Sequence, residues 1–158
     1  MKTLSFFRLV VAVGLCLGVG ALGSLVTTPQ IPTWYAGLVK PSWNPPNWAF
    51  PIAWTTLYVL MAVALWRLWQ LHAPSPERRR AIVLWGLQLA LNALWSPVFF
   101  GMEAPGAALV VVVALWLAIA ASIWAAARID RIAAWLLAPY IAWVTYATTL
   151  NAAIVALN

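Results

Sequence analysis

The sequence predicts an all-α integral membrane bundle of five transmembrane helices, organised as a single domain over residues 1–158. Three observations predict it. Hydrophobic residues make up 65% of the chain and charged residues 8%, where a soluble domain carries about 25% charged residues; mean hydropathy is +0.91. Five stretches are each long enough to supply the roughly 20 apolar residues that cross about 30 Å of hydrocarbon. The few charges gather in the links between those stretches.

The first stretch covers about 6–26, the second about 48–71, the third about 81–100, the fourth about 105–127 and the fifth about 132–157. None holds an acid, and the only bases inside them, Arg8 and Arg67, lie near their ends. Length selects helices over barrel strands, which need only about 10 strictly alternating residues. Continuous helices also satisfy every backbone group in lipid internally. The links Gly101-Met102-Glu103-Ala104 and Arg128-Ile129-Asp130-Arg131 are short, so the helices they join are antiparallel neighbours.

With five spans, Lys2, Arg8, Arg67, Arg78, Arg79, Arg80, Arg128 and Arg131 share one side and Lys40 has the other to itself. The positive-inside rule puts that basic side, with the N-terminus, in the cytoplasm, and the C-terminus and long first link opposite. The Arg78-Arg79-Arg80 run reads as a topology signal in contact with lipid headgroups. No soluble basic domain is present to carry nucleic-acid binding. Lys2 and Arg8 ahead of an apolar core resemble a signal peptide, but the poor cleavage site around Cys16 favours a retained helix. Gly14 and Gly18 permit close helix approach, within the bundle or between protomers. No internal repeat of the transporter kind is apparent.

The link at 27–47 is long and dense in proline and tryptophan. Pro41, Pro45 and Pro46 stiffen it, and Asn44 is placed to cap the second helix with Pro45 in its first turn. Trp34, Trp43 and Trp48 on such a segment form either an interfacial aromatic belt or a lid over a cavity. Helical spacing then selects three faces: Pro51, Trp54, Tyr58 and Met61; Gln88, Asn92, Trp95 and Phe99; Tyr140, Trp143, Ala147 and Leu150, with Asn151 beside them. Their polar members face the bundle interior, bonding either to neighbouring helices or to a ligand. Pro139 frees the carbonyl of Trp135, and a kink there opens space between helices.

The absences are equally informative. Three acids, one histidine (His72) and one cysteine (Cys16) leave no parts for a two-carboxylate hydrolase, a zinc site or a disulfide. No charge lies mid-span to couple ions, and no helix holds a histidine to ligate haem iron. No metal site and no conventional catalytic residue is expected. A cavity built from these faces is apolar, aromatic and uncharged, suited to a flat hydrophobic molecule.

Four strings carry a resemblance: Trp34-Tyr35 with Lys40-Pro41-Ser42-Trp43-Asn44-Pro45-Pro46-Asn47-Trp48; Pro51 to Trp54 with Leu57-Tyr58; Gln88-Leu89-Ala90-Leu91-Asn92 with Trp95, Pro97 and Phe99-Phe100-Gly101; and Pro139-Tyr140-Ile141-Ala142-Trp143 with Leu150-Asn151. In these the chain resembles the translocator protein family, also called tryptophan-rich sensory proteins or peripheral benzodiazepine receptors. The resemblance implies a five-helix bundle, commonly homodimeric. It implies a pocket between the helices for porphyrins such as protoporphyrin IX, held without covalent attachment, and for isoquinoline carboxamide and benzodiazepine drugs. The family's pocket positions match Trp54, Asn92, Trp95, Trp143, Ala147 and Leu150, with Trp34, Trp43 and Phe50 from the lid side; Tyr58 and Tyr140 join from the faces above. The aromatic-then-basic pair of the animal cholesterol motif is missing from 150–158, and Ala107 stands where some members carry a pocket tryptophan.

The function expected on this basis is a membrane porphyrin-binding sensor or regulator, with lipid and a second copy as partners and no nucleic acid. Two alternatives stand beside it. One is light-dependent degradation of protoporphyrin through radicals on Trp54 and Trp143. The other is a passive carrier of porphyrins or sterols.

Overall fold

The computed structural model describes residues 2–71 and 74–158; His72 lies outside the described residues, as does the side chain of Lys2. The chain forms α1 (Lys2–Gln30), a short α2 (Trp34–Gly37), α3 (Ala49–Gln70), α4 (Pro76–Ser96) running into a π-helical turn (Pro97–Gly101), α5 (Pro105–Ala127), α6 (Arg131–Leu136) and α7 (Ala138–Leu157). Five helical runs are long and apolar enough to cross a membrane. This is an all-α bundle and an integral, multi-pass membrane protein.

Local chemistry sets the boundaries. Ser75 Oγ accepts from the Arg78 backbone N–H at 3.1 Å with Pro76 behind it, starting α4. Asp130 starts α6 by accepting from the N–H groups of Ile132 and Ala133 at 2.9 and 3.1 Å, an N-cap that satisfies donors with no partner inside the helix. Two expected boundaries move. α1 continues to Gln30 with Pro29 in its last turn, so 27–30 are helix rather than link. Asn44 does not cap the second membrane helix, which begins at Ala49. The adjacent prolines at 45 and 46 keep the chain out of helix until the Ala49 N–H closes a turn on the Pro46 carbonyl at 2.9 Å.

The fifth span is interrupted at Leu137, between α6 and α7, two residues before Pro139. The spans close into a ring: α1 packs on α3 and α4, α4 on α5, α5 on α7, and α3 on α6. The end carrying the arginines is solid. Met61, Leu65, Leu68, Ala81, Trp85, Ile119, Ala126, Ala133 and Leu137 fill it, all nearly without exposure, and the alanines let backbones approach closely.

Polar contacts tie that end together. Arg67 pairs with Asp130 at 2.9 Å. Arg8 Nη1 and Arg78 Nη2 donate to the Trp69 carbonyl at 2.8 and 3.0 Å, and Arg78 Nε donates to that of Leu68 at 3.1 Å. Cations here complement the C-terminal end of the α3 dipole. Trp66 donates to the Ser5 carbonyl at 3.0 Å, and Gln70 donates to Ser5 Oγ.

Candidate functional site: an aromatic cavity beneath the first link

The other half of the bundle is hollow. A cavity of about 350 Å³ lies between the spans on the side of the 31–48 link, within the range of small-molecule sites. Its α3 wall is Phe50, Pro51, Trp54, Thr55 and Tyr58; its α4 wall is Asn92, Trp95 and Ser96, continued by Phe99 and Phe100; its α7 wall includes Trp143, Val144, Ala147, Leu150 and Asn151. The α1 wall owes its shape to small residues, among them Gly20, Ala21, Gly23 and Ser24. A Cβ on Gly20 would stand 2.6 Å from Tyr58 Cε2, so only glycine lets α1 pass that ring.

The floor is a hydrogen-bonded bridge. Tyr58 donates to Asn92 Oδ1 at 2.7 Å, and Asn92 Nδ2 donates to the Tyr140 hydroxyl at 3.1 Å. Opposite, Trp95 Nε1 donates to Asn151 Oδ1 at 3.2 Å, while Asn151 Nδ2 donates to the Pro105 carbonyl at 2.8 Å. Each amide serves both neighbours, which fixes the orientation of its side chain. Trp95 stacks on Phe99 with centroids 4.9 Å apart and planes at 25°. Trp54 leans on Tyr58 at 5.5 Å and meets Tyr140 edge-on at 6.2 Å.

The π turn shapes the roof. The Met102 N–H reaches back to the Pro97 carbonyl at 2.9 Å, and the wider turn buries Phe99 and Phe100 together. Trp34 packs edge-on against both, at 5.6 and 6.3 Å. Tyr35 faces the same rings, at 6.4 and 5.5 Å. Burial pushes the Tyr35 phenol above its ordinary range, and it donates to Asn44 Oδ1 at 3.1 Å. The link is fastened to α7 at two places. Tyr146 donates to the Trp43 carbonyl at 2.6 Å, and the Asn158 amide pairs with the N–H and C=O of Val39, both at 3.0 Å.

Of the residues expected at the site, Phe50, Trp54, Tyr58, Asn92, Trp95, Trp143, Ala147 and Leu150 line the cavity. Trp34, Trp43 and Tyr140 do not. Trp34 stands behind Phe99 and Phe100, Trp43 lies outside against Tyr146 at 5.9 Å, and Tyr140 is fully buried beneath Asn92. The link tryptophans thus divide: Trp34 turns inward, Trp43 and Trp48 stay exposed. Ala107 is exposed and off the cavity. Met61 and Gln88 lie in the solid core off the wall, and both amide atoms of Gln88 lack a hydrogen-bond partner among the described residues.

The α1 wall and Tyr35 were not among the sequence candidates. Gly20, Gly23, Ser24 and Thr27 repeat at helical spacing, and that spacing was the available signal. No charged side chain lines the cavity, and no metal-ligating cluster of His, Cys, Asp or Glu occurs among the described residues. The walls can stack on and desolvate a flat molecule; they offer no strong acid or base. Several lining donors stay uncommitted: the indole N–H groups of Trp54 and Trp143 make no hydrogen bond among the described residues, nor do the hydroxyls of Ser24, Thr27, Thr55 and Ser96, whereas the indole of Trp95 does.

Comparison with known proteins places these features in a family. Residues 12–157 match the TspO/MBR family. Similar proteins include the tryptophan-rich protein TspO of Chlorobaculum tepidum, 44% identical over 150 residues and 95% of each chain. The tryptophan-rich sensory protein of Cereibacter sphaeroides is 47% identical over 125 residues, 79% of this chain and 77% of that one. The human translocator protein is 44% identical over 121 residues, 75% of this chain and 70% of its own.

Proposed function

Because the chain belongs to the TspO/MBR family, we propose that it is a membrane sensor or regulator that binds a tetrapyrrole such as protoporphyrin IX, non-covalently, in the cavity beneath the first link. The observation that carries the reading is the pair Trp54 and Trp143, two indoles on adjoining walls of an uncharged, mostly apolar chamber, each with an uncommitted N–H. Stacking and loss of water supply the affinity, and the indole donors orient the ligand. Trp34 and Trp43 act from behind and above, holding the link in place as a lid, and Tyr140 sets the floor through Asn92. The acid groups of such a ligand lie toward the lid, where Lys40 gives two donors to the Tyr35 and Leu38 carbonyls at 2.6 and 2.8 Å and keeps a third. Titration with protoporphyrin IX, followed by tryptophan quenching, tests the reading. Trp54→Ala and Trp143→Ala should each weaken binding at least tenfold; unchanged affinity in both rejects the site.

The same pair favours a second reading, light-dependent degradation of the bound pigment, because oxidisable indoles flank the ligand. Pigment loss under illumination that continues unchanged without both tryptophans would be ordinary bleaching. The clustering of arginines at one end of the bundle supports an orientation with that end, and the N-terminus, in the cytoplasm and the lid on the opposite side. Thiol labelling from outside intact cells should reach a cysteine placed at Glu103 and spare one placed at Arg79. A homodimer is supported by Gly14 and Gly18, which open away from the bundle: a Cβ at either position would meet nothing within 4 Å.

A further inference from the structure

We propose that the cleft between α3 and α7 is a side port through which the cavity exchanges ligand with the membrane, and that Trp143 is its door. This rests on the cavity being the tetrapyrrole site. The cleft measures about 680 Å³ and is walled by Ala49, Ala53 and Leu57 from one side and Pro139 and Ala142 from the other. Among the described residues Trp143 alone lines both cleft and cavity, so its ring is the partition between them.

Three features suit that partition to opening. Among the described residues the Trp143 indole makes no hydrogen bond; it packs on the edge of the core and against Phe50 at 6.1 Å on the cavity side and Tyr146 at 5.8 Å on the cleft side. The facing side chains at 53 and 142 are alanines, which leave room for a ring to swing. The fifth span breaks at Leu137, so α6 stays on α3 while α7 leans toward α5. Among the described residues the cleft carries no charged one, and its exposed members, Thr56, Pro139 and Ala142, lie within the spans, at the depth of bilayer hydrocarbon. A flat apolar ligand dissolved among acyl chains meets that surface directly. Passage through the lid, by contrast, breaks the Tyr146–Trp43 bond and both Asn158–Val39 bonds, while turning Trp143 breaks no hydrogen bond.

Stopped-flow quenching by protoporphyrin IX, with the protein in lipid nanodiscs, separates route from site. Ala53→Leu and Ala142→Phe fill the cleft without touching the cavity. Both should slow association and dissociation tenfold or more and leave Kd within twofold, while Asn158→Ala with Tyr146→Phe, which together remove both fastenings of the lid, leaves both rates unchanged. Unchanged rates in the filled variants overturn the port, and so does a shifted Kd at normal association rate, which would make the cleft part of the site. If wild-type protein binds no porphyrin, the functional reading fails and the door is judged without ligand. In protein labelled with 5-fluorotryptophan, the Trp143 resonance should be broadened by exchange and sharpened by Ala142→Phe; a sharp resonance in both overturns it.

Discussion

Asn92 holds Tyr58 and Tyr140 together, accepting from the first at 2.7 Å and donating to the second at 3.1 Å. Tyr140 is fully buried, so truncating Asn92 strands a hydroxyl that no water reaches. Asn92→Leu should cost about 1–2 kcal/mol, the scale of a lost buried hydrogen bond in a membrane bundle. Thermal unfolding in detergent measures it. In the double variant with Tyr140→Phe the loss should fall short of the sum; simple additivity would mean the bridge does not act as a unit.

Glycines at 20 and 86 should respond oppositely to alanine. At Gly20 the new methyl meets the Tyr58 ring at 2.6 Å, so Gly20→Ala should destabilise by about 1–3 kcal/mol, as overpacking does. It should also weaken porphyrin binding, because the displaced ring forms part of the wall. At Gly86 nothing lies within 4 Å, and alanine there should be neutral or stabilise by up to about 1 kcal/mol through helix propensity. Melting temperatures of the two variants make the comparison.

Asp130 combines an N-cap with an ion pair, to Ile132, Ala133 and Arg67. Asp130→Ala should lower stability by about 1–3 kcal/mol. Asparagine keeps a capping oxygen and loses the charge, so Asp130→Asn should recover a large part of that. Equal losses from the two would assign the whole effect to the ion pair.

Replacing Gly14 and Gly18 together by leucine should dissociate the proposed dimer while leaving the protomer folded. Both positions open outward from α1. Analytical ultracentrifugation in detergent reads the mass. A dimer that persists in the double variant places the interface elsewhere.

The spans and their order were legible because apolar length is written directly in composition. The inward faces of α3, α4 and α7 were legible because a period near 3.6 puts Trp54 with Tyr58, Asn92 with Trp95, and Trp143 with Ala147 on one side. The α1 wall was not, because it is made of what its residues lack: Gly20 and Gly23 shape the chamber by bringing the helix close, while the more conspicuous Gly14 and Gly18 point away. Nor did composition distinguish Trp34 from Trp43 and Trp48. Their sorting depends on where the link folds back, which Tyr146 and Asn158 decide from more than 100 residues downstream. The start of α3 falls later than its capping chemistry suggests, because Asn44 sits ahead of two prolines.

The wide turn at Pro97–Gly101 constrains the length of the chain as well as its chemistry. An ordinary helical pitch sets successive side chains about 100° apart, and the wider turn brings Phe99 and Phe100 closer to one direction, toward Trp34 and Tyr35. Deleting a single residue there would tighten the winding and turn the phenyl rings away from their present contacts with Trp34, Tyr35 and Trp95. It would also rotate everything that follows, up to the start of α5. Related sequences should therefore tolerate exchanges of residue type across these five positions far better than any gain or loss in their number.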